Sequence, residues 1–260
     1  MPRPPLSVTI IALNEENNIA RAIESVRGFA QETLVVDAGS TDRTVNIASH
    51  LGAKVITNPW RGYGQQKNFA QTQATHDWIL NIDADEEVSP ELAMELQLTL
   101  ERNENSGVAG YTVPRLSRYL GRWIRHGGWY PNRLVRLANR KHSVWSEPEV
   151  HEELVVRGPV VPLVHDLFHF PFRNIGEQVQ TNLRFSRLGS ETLRKKGQQK
   201  NLFRLLFKPI GKFIETYFAK GGFRDGIPGF IISVNAAHSI FLKYAYLFEE
   251  SGKKNESSHH

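Results

Sequence analysis

Two rhythms of apolar residues alternate along the first hundred positions. Leu6–Leu13 is a near-continuous β-rich run, and Ile19, Ala22, Ile23 and Val26 then recur at helical spacing. Thr33–Val36 reads as a second strand, followed by Val45, Ile47, Ala48 and Leu51 on a short helix that Gly52 ends. Lys54–Thr57 is a third strand, Tyr63–Thr75 a third helix and Asp77–Ile82 a fourth strand. Ser89 and Pro90 supply a cap and a first-turn proline for a helix running to Arg102. Strands and helices alternating over short connections predict parallel strands with right-handed crossovers. The fold class is therefore α/β, a Rossmann-like, mostly parallel sheet flanked by helices.

After Gly107 the rhythm changes. Val108–Pro114 and Leu134–Leu137 look like strands on either side of an aromatic, basic loop. A mostly polar helix is expected around Ile175–Lys196. Leu206, Ile210, Phe213, Ile214, Tyr217 and Phe218 then recur at three- and four-residue steps. A turn at Asp225–Gly229 leads into a second apolar run, Phe230–Phe248. The expected division is an α/β domain over 1–200, changing character between 1–115 and 116–200, and a basic, amphipathic helical segment over 201–260.

Charge sharpens this division. The chain has 260 residues and a net charge of +5, yet eleven Lys/Arg and only two acids lie between Arg184 and Arg224. Twenty-one basic and twenty-five acidic residues elsewhere leave −4. So concentrated an excess points to an anionic partner. Phe230–Phe248 is interrupted by Asn235, His238 and Lys243, which argues against a spanning helix. A lysine-rich helix lying in an anionic membrane surface fits better. The absence of cysteine removes thiolate metal sites and cysteine nucleophiles. With no signal peptide at the N-terminus, the expected location is cytoplasmic, peripherally associated with the inner leaflet of the cell membrane.

Candidate chemistry gathers where strands end. Asp83 and Asp85 follow the apolar run Trp78-Ile79-Leu80, and residues two apart on an extended chain point the same way. Two converging carboxylates suit Mg²⁺ or Mn²⁺, with further positions left for substrate phosphates and water. Asn14 and Asp37 also fall at strand carboxyl ends, the rim on which α/β sheets bind ligands. Three polar clusters on one rim predict a nucleotide site. Arg133 and Arg136 could pair with phosphates there, and His151, His165 and His169 could help hold a metal or phosphate. Gly62-Tyr63-Gly64 lacks the third glycine of a dinucleotide fingerprint.

Three segments together resemble glycosyltransferase family 2. They are Val8–Glu15, Val35–Asp42 and Ile82-Asp83-Ala84-Asp85-Glu86. Gln66-Lys67-Asn68, Trp129-Tyr130-Pro131, Arg133–Leu137, Val150-His151-Glu152 and Gly222–Gly226 are similar to a narrower branch, the bacterial lipopolysaccharide core β-glucosyltransferases. The resemblance implies a GT-A fold and an inverting transfer of a sugar, glucose by that branch, from a UDP-sugar to a lipid-linked glycan acceptor such as the lipopolysaccharide inner core. It implies that Asp37 bonds the base and that Leu13, Asn14 and Glu15 line the nucleoside pocket. Asp83 would meet the ribose or a metal-bound water, Ala84 would lie beside the donor, and Asp85 would ligate the metal. Lys67 and Asn68 would lie near the donor. Inversion needs a base for the acceptor hydroxyl. The Glu-Asp pair of many relatives is not evident, and the candidate is Glu152, with Glu153 and Asp166 behind it. A nucleic-acid-binding protein would explain the positive tail but not the acidic rim, so no nucleic-acid partner is expected. A catalytically silent nucleotide-sugar-binding protein is the other alternative.

Overall fold

The computed structural model describes residues 4–102, 107–147 and 152–256. Val150, His151 and Ser257–His260 lie outside the described residues. The N-terminal half follows the alternating pattern: β1 (Leu6–Ala12), α1 (Ile19–Arg27), β2 (Glu32–Asp37), α2 (Thr44–His50), β3 (Lys54–Thr57), α3 (Tyr63–Gln73) and β4 (Trp78–Asp83). There follow β5 (Glu86–Val88), α4 (Pro90–Arg102), β6 (Gly110–Tyr119), β7 (Arg122–Ile124), β8 (Asn132–Asn139), β9 (Ser143–Trp145), β10 (Leu154–Val156), β11 (Val160–Pro162) and β12 (Leu167–His169). The chain closes with α5 (Ile175–Lys195), α6 (Leu202–Ile214) and α7 (Gly226–Glu256). A π-helical turn over Glu215–Ala219 and a 3-10 turn over Gly222–Asp225 join the last two helices.

Contacts divide the chain into two compact units, Met1–Leu116 with Asn132–His169, and Ser117–Pro131 with Phe170–His260. In the first, the sheet runs β3-β2-β1-β4-β8-β6-β12-β5. Strands β3, β2, β1 and β4 are parallel, as expected, while β8 is antiparallel to both β4 and β6. Leu6, Val8 and Ile10 of β1, Val35 of β2, and Leu80 and Ile82 of β4 are fully or almost fully buried. They pack with Ile19, Ala22, Ile23 and Val26 of α1 and with Leu92, Leu96 and Leu100 of α4 in one core. The start of α4 is as the sequence predicts: Ser89 Oγ accepts from Leu92 N at 3.1 Å, and Pro90 occupies the first turn.

In the second unit, α5 packs along α7. Ser186 Oγ bonds Ser239 O at 2.9 Å, and Asn235 donates to Gln178 Oε1 at 2.6 Å. The polar residues of α5 thus find partners on α7, and α5 falls in the same compact unit as Ser117–Pro131 and the last two helices. Helix α6 begins at Leu202, capped by Asn201 accepting from Arg204 N at 3.0 Å, and runs through Pro209. Of the turn expected at Asp225–Gly229, Asp225 ends the 3-10 turn and Gly226–Gly229 form the first turn of α7, where Pro228 is well tolerated.

Candidate active site at the strand ends

Parallel strands in register bring their carboxyl ends to one rim. In that register Ala12 pairs with Asp37 and Ile11 with Asp83. Asp37 and Asp83 thus flank the end of β1, two strand spacings or about 9.5 Å apart. The loops leaving β1 and β2 are tied to each other. Asn14, with φ of 56°, accepts from Thr41 N at 2.9 Å and donates its own N–H to Ser40 Oγ at 2.8 Å. Glu15 N donates to Thr44 Oγ1 at 2.7 Å, and Glu16 N to Asp42 Oδ2 at 3.1 Å. Asn tolerates the left-handed conformation better than most residues, which suits it to that turn. Leu13 stands half exposed beside it.

Asp37 is almost wholly buried. Its carboxylate accepts from Gly39 N and Ser40 N, both at 2.9 Å, and from the Ser40 hydroxyl. An ionised carboxylate offers about four lone-pair sites, so roughly one remains for a ligand. Asp37 therefore shapes its own loop as well as facing the rim.

At β4 the premise behind two converging carboxylates changes. The strand ends at Asp83, and Ala84-Asp85 form a turn before β5, so the same-face rule for extended chain does not reach Asp85. Asp83 Oδ1 meets Lys67 Nζ at 3.0 Å and Oδ2 meets Arg136 Nη2 at 2.6 Å. Burial opposes its ionisation, but the charges of Arg136 and Lys67 outweigh burial and hold the carboxyl far below the usual carboxylate range. Asp85 instead lies 3.4 Å from His169 Nε2 of β12. Ala84 between them is buried.

Arg136 was expected to face phosphates. It is enclosed, and its Nη2 contacts Glu86 Oε1 at 2.5 Å as well as Asp83. Burial works against its charge, yet the two carboxylates raise its pKa further above the arginine range. Glu86 has no exposed surface, also meets Arg115 at 3.2 Å, and accepts from Asp83 N at 2.9 Å. This buried acid requires compensating cations, which is why Arg136 turns inward. Glu86 had no assigned role in the sequence. Its signal was alternation, since Glu86 and Val88 share the buried face of β5.

Lys67 joins the strand-end rim to the distant Glu152. Its ammonium lies 3.1 Å from Glu152 Oε1 while also meeting Asp83. The residue is 5% exposed, and the centre of the Trp145 ring lies 4.4 Å from the nitrogen. Two carboxylates and an aromatic face compensate the buried charge. Asn68, expected near the donor, bonds the backbone of Trp145 in both directions at 2.9 Å. It acts by fixing β9 to α3. Glu153 is exposed, with its N–H on Ser146 Oγ. His165 is paired with Glu95 of α4 at 2.9 Å, and Arg133 donates to Leu163 O. Neither joins the Lys67 cluster through these contacts.

Gly64 of α3 permits the close approach of the strap after β9. A Cβ there would stand 2.1 Å from Ser146 O. Gly64→Ala is expected to push this strap away at a cost of about 1–3 kcal/mol. Thermal denaturation should show Tm lower by roughly 3–10 °C. An unchanged Tm would mean that the strap moves without loss.

Among the described residues no group of three or more His, Asp or Glu is gathered to hold a metal. Asp85 and His169 offer one oxygen and one nitrogen donor. That set fits a divalent cation whose other positions go to diphosphate and water.

Residues 7–150 match the family described as glycosyl transferase family 2. The chain belongs to this family. An uncharacterized glycosyltransferase of Rickettsia typhi is 35% identical over 257 residues, covering 95% of this chain and 88% of its own. The lipopolysaccharide core biosynthesis glycosyltransferase LpsC of Rhizobium meliloti is 32% identical over 261 residues, covering 98% and 96%. Glucosyl-3-phosphoglycerate synthase from Mycobacterium tuberculosis, solved with Mn²⁺ and UDP-glucose, is 27% identical. That likeness covers 44% of each chain, with a TM-score of 0.37.

Proposed function

We propose that this family 2 glycosyltransferase moves a hexose, glucose first among candidates, from a UDP-sugar to a hydroxyl of a lipid-linked glycan such as the lipopolysaccharide inner core, with inversion and with Mg²⁺ or Mn²⁺. The observation that carries the proposal is the meeting of Asp83 and Glu152 on one buried lysine. It brings a carboxylate 85 residues from Lys67 to the same strand-end rim. The acceptor class is supported by the likeness to LpsC over nearly the whole of both chains.

The donor would lie across the ends of β2, β1 and β4. Its base would sit by the Asn14–Asp37 loops and its diphosphate toward Asp85. Asp85 and His169 would hold the metal, which supplies neutralisation of the diphosphate leaving group. Glu152 would accept the proton of the acceptor hydroxyl as its oxygen bonds the anomeric carbon. The bond from that carbon to the diphosphate breaks at the same time, and UDP departs with the electron pair. Arg136 and Glu86 hold Asp83 in place, and Lys67 keeps Asp83 and Glu152 together.

The test is UDP release from UDP-glucose and other nucleotide-sugars, with Mg²⁺, Mn²⁺ or excess EDTA. Turnover should require the metal, and Asp85→Ala should lower it at least about 100-fold. Full turnover in EDTA would remove the metal role, and absence of release from every donor would remove the reading.

A further inference from the structure

We propose that the outward faces of α6 and α7 form a binding surface for an anionic lipid bilayer, on which the helices lie flat. Helix α6 has no buried residue. Phe203, Leu206, Phe207, Ile210, Ile214 and Phe218 make one outward stripe at three- and four-residue steps, each more than half exposed. Ile227, Phe230 and Val234 continue the apolar surface on α7, with Ile227 75% exposed. Phe213 and Tyr217, which the sequence pattern grouped with that stripe, are part-buried and pack on Phe230 at ring-centroid distances of 6.0 and 5.6 Å. The helix pair is therefore apolar on its packed side and again on its outer side.

A face of this kind is unusual in water. The exposed parts of Phe203, Phe207, Phe218 and Phe230 alone leave on the order of 400–500 Å² of aromatic surface uncovered. That approaches or equals the largest patch on most monomers before any aliphatic residue is added.

Charge selects the occupant. Between Leu202 and Asp225 five cations, Arg204, Lys208, Lys212, Lys220 and Arg224, stand against two acids. Glu215 is paired with Lys212 and Lys220, and buried Asp225 accepts from His126 N at 2.8 Å. Apolar side chains bordered by lysines match acyl chains beneath anionic headgroups. A second copy docked face to face would set these same cations against one another. No helix among the described residues is long and apolar enough to cross a membrane, so the contact lies along the interface. The inference rests on the proposed function only for its purpose, which is access to a lipid-linked acceptor.

The full chain is sedimented with vesicles of phosphatidylglycerol and phosphatidylethanolamine, and with phosphatidylcholine alone. Wild type should partition at least about tenfold more onto the anionic vesicles, with the advantage falling as salt rises. The double substitution Phe203→Asp with Phe207→Asp should reduce that partition at least about tenfold. Its thermal transition and its UDP-sugar hydrolysis without vesicles should stay unchanged. Wild type left in the supernatant, or equal pelleting of both proteins, would overturn the proposal. So would a dimer in sedimentation velocity that the same substitutions dissolve, which would assign the face to a second copy. Loss of hydrolysis in wild type would count against the glycosyl-transfer reading and leave the vesicle result standing.

Discussion

Replacing Glu152 with glutamine is expected to lower kcat by about 10²–10⁴-fold, with the Kd for UDP changed only a few-fold. The amide keeps the volume of the side chain, and its oxygen can still accept from Lys67, which stands 3.1 Å from the carboxylate. What it cannot do is take a proton from an acceptor hydroxyl. Lys67 retains the Asp83 carboxylate at 3.0 Å, so the donor side of the rim should survive the change. Steady-state kinetics with calorimetric UDP binding separates the two effects. A variant with near-normal kcat would move the base to Glu153 or Asp166.

The second large effect falls on stability. Glu86→Ala removes an acid with no exposed surface from between Arg136 at 2.5 Å and Arg115 at 3.2 Å. Breaking one side of a buried ion-pair network costs about 3–5 kcal/mol, because a charge is left uncompensated in the interior. For a chain of this size that corresponds to a Tm lower by roughly 6–20 °C. Turnover should fall as well, since Glu86 also accepts the Asp83 N–H and shares Arg136 with the Asp83 carboxylate. Glu86→Gln keeps an acceptor for that N–H and should lose less. Differential scanning calorimetry of both variants checks the order. A Tm within 2 °C of wild type for Glu86→Ala would mean that Asp83 alone suffices for Arg136.

Much of the N-terminal half was legible because its elements carry their own punctuation. β3 begins soon after Gly52 and ends before Pro59, and α4 opens on Ser89-Pro90; both span the residues the pattern predicts. Three-residue strands such as β5, β9, β10, β11 and β12 have too few positions for a period to show. They form because partners elsewhere in the chain complete their ladders. The site divides in a similar way. Asp37, Asp83 and Asp85 stand out as carboxylates following apolar strands, whereas Glu86, Arg115 and Trp145 look like ordinary strand residues until their neighbours are known.

By itself the sequence determined the alternation of strand and helix, the strand-end rim and the family whose motifs occupy it. These are local matters of spacing, capping and side-chain type. Only the tertiary structure decided which charge meets which: Arg136 turned inward to Glu86, Asp85 set beside His169, and Glu152 joined to Asp83 through Lys67. Such pairings arise because a buried charge must find an opposite one wherever the fold brings it, and residues 85 positions apart carry no local mark of that meeting.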